Sequence, residues 1–84
     1  MATNIYVGNL PFSTDSTELE NLFTEYGSVD RAQVIMDRET GRSRGFGFVE
    51  MGNDDEAQNA IESLNGTDFG GRQLRINVAR ERSR

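Results

Sequence analysis

The sequence predicts an α+β sandwich, a four-stranded antiparallel sheet with two helices on one face, in the order βαββαβ. Three observations carry this. Four short segments alternate apolar and polar residues with a period of two, and two others repeat apolar residues at helical spacing behind capping pairs. At 84 residues the chain has room for one domain, because chains this small bury only about 60% of the surface their unfolded state exposes. Each helix offers a single apolar stripe, enough for one face of the sheet and no more.

In the first strand Ile5 and Val7 alternate with Tyr6 and Gly8 until Pro11 turns the chain. Asp15 and Glu18 fit an N-cap with its reciprocal partner, and Leu19, Leu22, Phe23 and Tyr26 form the first helical stripe, stopped by Gly27. From Val29 to Asp37, outward Arg31, Gln33 and Ile35 alternate with inward Ala32, Val34 and Met36. The stretch RETGRSR holds a turn at Thr40 and Gly41 and leads into the third strand, where Phe46, Phe48 and Glu50 alternate with Gly47, Val49 and Met51. Asn53 and Glu56 form a second capping pair ahead of Ala57, Ala60, Ile61 and Leu64. After a turn at Gly70 and Gly71, Leu74, Ile76 and Val78 alternate with Arg75, Asn77 and Ala79. This order is the split βαβ, ferredoxin-like arrangement. Residues 1–79 form one domain in this reading and residues 80–84 a basic C-terminal tail.

Composition narrows the chemistry. With no cysteine and no histidine, disulfides, thiol nucleophiles, imidazole acid/base work and the usual zinc ligand sets are gone, so no cofactor and no catalysis are expected. The opening MATNIYVGNL lacks the basic and apolar regions of a signal peptide. A soluble, cytoplasmic monomer without a membrane partner is therefore expected. The net charge is −5, which taken whole argues against a nonspecific nucleic-acid coat. The placement of the charges points the other way. The helical segments Asp15 to Tyr26 and Asp54 to Leu64 carry four acids each and no arginine, which leaves the rest of the chain at +3.

The inward set Ile5, Val7, Ala32, Val34, Met36, Val49, Met51, Leu74, Ile76 and Val78, with the helical stripes, completes a small core. Strict alternation then leaves Tyr6, Phe46 and Phe48 on the uncovered face. A single exposed aromatic is an ordinary strand former, but three on adjacent strands make a contiguous apolar patch, which on a small monomer marks a binding surface. Arg31, Gln33, Arg44, Arg75 and Asn77 share the outward side. Rings fringed by guanidinium groups suit stacked bases with phosphates paired at the edge.

These residues resemble the RNA recognition motif family. Arg44 with GFGFVEM resembles its RNP1 octamer, and IYVGNL, Ile5 to Leu10, its RNP2 hexamer. The resemblance spans essentially the whole chain, and extends to the short single-motif proteins of cyanobacteria and other bacteria and to the RNA-recognition domains of plant glycine-rich proteins. Met51 departs from the usual Phe or Tyr, at an inward position that concerns packing. The resemblance implies that single-stranded RNA, and more weakly single-stranded DNA, binds with one base on Tyr6, one on Phe48 and Phe46 against sugars. It implies a phosphate contact for Arg44, base-edge contacts from Asn77, Ala79 and Arg80, low intrinsic specificity and a role in post-transcriptional regulation.

Other positions stay open between a binding and a plain structural reading. Arg38 and Arg42 lie in a flexible loop and either clamp the strand or stay solvated, and the tail's Arg80, Arg82 and Arg84 either fold onto RNA or begin a longer basic region. Gly8 either bares the backbone to a base or only begins the turn to Pro11. Gly47 points inward, where a missing side chain lets a helix lie close. Two rival functions compete with RNA binding. A peptide-binding variant of this fold commonly lacks one or more of the aromatics, all present here, and an acylphosphatase-like enzyme needs a phosphate-cradling loop that the sequence lacks.

Overall fold

The computed structural model describes residues 3–79. Within them the chain runs β1 (Thr3–Gly8), α1 (Ser16–Thr24), β2 (Val29–Met36), β3 (Ser43–Met51), α2 (Asp54–Leu64), β4 (Asp68–Phe69), β5 (Arg72–Gln73) and β6 (Arg75–Val78). The main sheet is antiparallel in the order β2-β3-β1-β6, so the two strands that carry the aromatics are its centre. Helix α1 packs on β2 and α2 on β1 and β6. Among the described residues no helix is long and apolar enough to cross a membrane.

Alternation does on β1 and β3 what the sequence predicts. Ile5, Val7, Val49 and Met51 are fully buried and meet Leu19 and Phe23 of α1 and Ala57, Ala60, Ile61 and Leu64 of α2 in one apolar cluster. Helix α1 starts in a full capping box: Glu18 N–H donates to Asp15 Oδ1 at 2.8 Å and Asp15 N–H to Glu18 Oε1 at 3.2 Å. At α2 only half of the expected pair forms. Glu56 N–H donates to Asn53 Oδ1 at 2.9 Å, but the Glu56 carboxylate instead accepts from Ser28 N–H at 3.3 Å, tying α2 to the turn that follows α1.

Two residues expected in the core are outside it. Met36 is 52% exposed and Val78 46%. Helix coverage of β2 begins at Val34, whose N–H donates to Oγ of Ser16, the first residue of α1, at 3.0 Å; Met36 lies beyond that point. Val78 is the last residue of the edge strand β6. Register also shifts twice along β2. Asp30 is an extra residue between the Val29–Met51 and Arg31–Glu50 pairs, which turns Val29 toward the core although simple alternation points it outward. Between the Val34–Gly47 and Met36–Ser43 pairs, Ile35 alone faces Arg44, Gly45 and Phe46. Gly45 absorbs that bulge with φ +86°, and its carbonyl accepts from Leu10 N–H at 2.8 Å.

The turn at Gly70 and Gly71 is the tip of a further small hairpin, β4 against β5, whose two-residue strands are too short for alternation to reveal. Both glycines have positive φ, the requirement of a type I′ two-residue hairpin turn. A Cβ on inward Gly47 would stand 2.5 Å from Gln33 O and 3.0 Å from Val34 Cα before meeting Leu19 Cδ2 at 3.1 Å. The missing side chain thus admits the neighbouring strand first and the helix second.

Candidate nucleic-acid interface

The face opposite the helices carries the three rings side by side. Tyr6 pairs across strands with Phe48, and Gly8 with Phe46. Ring centroids are 5.9 Å apart for Tyr6–Phe46, 5.9 Å for Tyr6–Phe48 and 6.1 Å for Phe46–Phe48, at interplanar angles of 35°, 63° and 89°. These are the tilted and edge-to-face arrangements that ring quadrupoles favour. All three are half-buried, and none belongs to the apolar cluster under the helices.

The polar residues expected around them separate into groups. Gln33 pairs with Phe48 and Arg31 with Glu50; with Asn4 they border a shallow depression of about 310 Å³. Glu50 therefore shares Arg31's surface and offsets part of its charge. On the other side of the rings, Asn77 pairs with Tyr6 and Arg75 with Gly8, both exposed. Arg44 is exposed two residues before Phe46 and, with Tyr6 and Phe46, borders a depression of about 270 Å³. Arg42 lies apart from the rings, in the β2–β3 connection. Arg80 and the rest of the tail, Arg82 and Arg84, lie outside the described residues.

The β2–β3 connection that carries Arg38 and Arg42 is hydrogen-bonded into a turn. Asp37 N–H donates to Arg42 O at 2.7 Å and Gly41 N–H to Asp37 O at 2.8 Å. The Asp37 carboxylate accepts from Glu39 N–H at 2.8 Å and Thr40 N–H at 3.3 Å. Those backbone donors, opposed by slight desolvation and helped by the charge of Arg44, hold Asp37 below the ordinary aspartate pKa. The side chain thereby fixes where Arg38 and Arg42 leave the backbone.

Three residues of this surface are not apparent from sequence pattern. Phe12, 64% exposed, borders the same depression as Arg44 and Arg72, with the Arg72 Cζ 5.4 Å from its ring centroid. Asn9, the one non-glycine with positive φ (62°) among the described residues, donates from Nδ2 to Gln73 O at 2.6 Å. The signals that point to them are an aromatic beside Pro11 in a turn and an arginine directly after Gly71.

The family model of the RNA recognition motif matches residues 5–75. The chain belongs to the RNA recognition motif family. Among relatives of this RNA recognition motif, RNA-binding protein CP31B, chloroplastic, of Arabidopsis thaliana is 57% identical over 83 residues, 99% of this chain and 29% of the relative. Glycine-rich RNA-binding protein 4, mitochondrial, of the same plant is 51% identical over 99% of this chain and 61% of its own length. The putative RNA-binding protein RbpB of Nostoc is 54% identical over 94% of this chain and 77% of its own. Among solved structures, RNA binding protein PG1 superposes with a TM-score of 0.92 at 51% identity, covering 98% of this chain and 99% of that one. The Sxl-lethal protein/RNA complex gives 0.91 at 31% identity, over 99% and 50%. The motif thus spans less than two thirds of several plant relatives. Their names overturn the cytoplasmic placement expected from the sequence, because they point to chloroplasts and mitochondria, with a cyanobacterial protein beside them.

Proposed function

We propose that this RNA recognition motif binds single-stranded RNA on the open sheet face, stacking bases on Tyr6 and Phe48, packing Phe46 against sugars and pairing phosphates with arginine. The carrying observation is the cluster of three half-buried rings, within 6.1 Å of one another, on a face that no helix of the described residues covers. Stacking contributes about 1 to 3 kcal/mol per base, a gross 3 to 9 kcal/mol for three rings before ordering costs. Micromolar binding needs about 8 kcal/mol. Charge must supply the difference, and Arg44 beside Phe46 is the first candidate, with Arg75, Arg31 and Arg42 further out. Gln33 and Asn77 meet base edges in this reading, which their pairing with Phe48 and Tyr6 supports.

In this reading the motif works as a monomer without cofactor or catalysis, binds single-stranded DNA more weakly, and serves post-transcriptional regulation. The names of its relatives, RNA-binding proteins and a protein/RNA complex, support the ligand class. The test replaces Phe46 and Phe48 together by Ala and measures anisotropy of a labelled random-sequence RNA. Affinity should fall by about 2 to 6 kcal/mol while unfolding stays cooperative, since both rings lie outside the apolar cluster. Retained RNA binding, or a peptide that displaces the RNA from the wild-type chain, would count against the proposal.

A further inference from the structure

We infer that Phe12 is a fourth stacking position, flanked by Arg72 and Arg44, which takes a further nucleotide of the strand held on the sheet. This rests on the RNA-binding reading above and extends the site beyond the three sheet aromatics. At 64% exposure Phe12 leaves most of its ring in water, so covering the core is not its work. Two segments distant in sequence lie against it. Arg72 lays its guanidinium over one ring face, 5.4 Å from the centroid. Gly45, in its bulge, has no Cβ; one would stand 3.1 Å from Phe12 Cε1. The tip of the β4–β5 hairpin packs on the adjoining residue, because a Cβ on Gly70 would lie 2.7 Å from Pro11 Cγ. The hairpin that carries Arg72 and the bulge beside Phe46 thus meet at one aromatic side chain, and the hairpin tip packs on Pro11 next to it.

Continuity and charge identify the occupant. The depression of about 270 Å³ bordered by Tyr6 and Phe46 extends to Phe12 and Arg72. A second depression, about 350 Å³, is bordered by Phe12, Arg42 and Arg44, with one carboxylate, Asp37, also on its rim. Phe12 and Arg44 border both. A polynucleotide leaving Phe46 therefore meets another ring next, with guanidinium groups on either side for its phosphates. An apolar peptide would find no use for so many cations.

The test compares labelled oligouridylates of four and eight nucleotides on wild type, Phe12→Ala and Phe12→Trp. Far-UV circular dichroism checks the fold, which an exposed position leaves intact. Phe12→Ala should weaken the eight-mer at least about fivefold, the low end of one stacking contact, and leave the four-mer unchanged. The chain has no tryptophan, so Phe12→Trp carries a single indole. Its emission should be quenched by the eight-mer and not by the four-mer, with the eight-mer affinity restored. An eight-mer bound equally by wild type and Phe12→Ala, or an indole silent to it, overturns the inference and leaves the sheet-face reading standing. Wild type that binds neither oligonucleotide removes both.

Discussion

The ring of Tyr6 lies across the bare α-carbon of Gly8: a Cβ there would stand 2.6 Å from the Tyr6 hydroxyl oxygen and 2.8 Å from Cε2. The position left open to a ligand by the sequence is filled by the protein's own aromatic. Gly8 lets that ring lie along its strand, 5.9 Å from each of Phe46 and Phe48. Gly8→Ala would push it off the sheet. The clashing atoms end a flexible side chain, so thermal stability should hardly change, while RNA affinity falls by up to one ring's stacking, about 1 to 3 kcal/mol. Anisotropy and melting on the same variant separate the two; undiminished affinity would contradict this role for Gly8.

Gly47→Ala should behave in the opposite way. Its Cβ would meet Gln33 O and Val34 Cα, backbone atoms of the neighbouring strand that cannot swing aside. A loss of about 1 to 3 kcal/mol is expected in denaturant unfolding, as for other overpacked interiors. A gain in stability, the usual result of removing a strand glycine, would show that the strands have room to move.

How legible all this is depends on where the strands run regularly. On β1 and β3 the pairs Ile5–Val49, Tyr6–Phe48, Val7–Gly47 and Gly8–Phe46 follow without interruption, so simple alternation separates core from open face. On β2 two bulges break the count, so that Val29 packs on the core where parity points it outward, while Met36 is exposed because helix α1 does not reach the end of the strand. Phe12 is hidden from a sequence reading because nothing local makes a turn residue part of a surface. Its neighbours Arg72 and Gly45 arrive from 60 and 33 positions along the chain. The split charge is readable in advance, since four acids on each helix are visible as sequence.

Salt gives an independent reading of the arginines. Each phosphate paired on a single strand contributes about −0.7 to the slope of log affinity against log salt, so three pairs predict roughly an eighteen-fold loss between about 50 and 200 mM. Arg44→Gln should make that slope shallower by about 0.7. Affinity indifferent to salt would mean that no phosphate is paired.

Asp37 makes the β2–β3 turn sensitive to acid. Its folded pKa is depressed, so its contribution is complete above the unfolded value, near 3.8, and is lost as pH falls through the lower folded value. The Glu39 and Thr40 amide resonances should therefore stay fixed from neutral pH down to about 5 and move only in stronger acid. In Asp37→Asn the part of that movement that comes from the two hydrogen bonds to Asp37 should vanish, most visibly at Thr40. A midpoint above the ordinary aspartate value would show that the two backbone donors do not hold the carboxylate.

The central claim is that the uncovered side of the sheet receives the RNA, and an amide-shift titration with short random-sequence RNA tests it most directly. Tyr6, Phe46 and Phe48 should move at the lowest RNA concentrations while the resonances of Ser16–Thr24 and Asp54–Leu64 remain in place. Shifts that appear first on those helices, with the three aromatic positions unmoved, would contradict it.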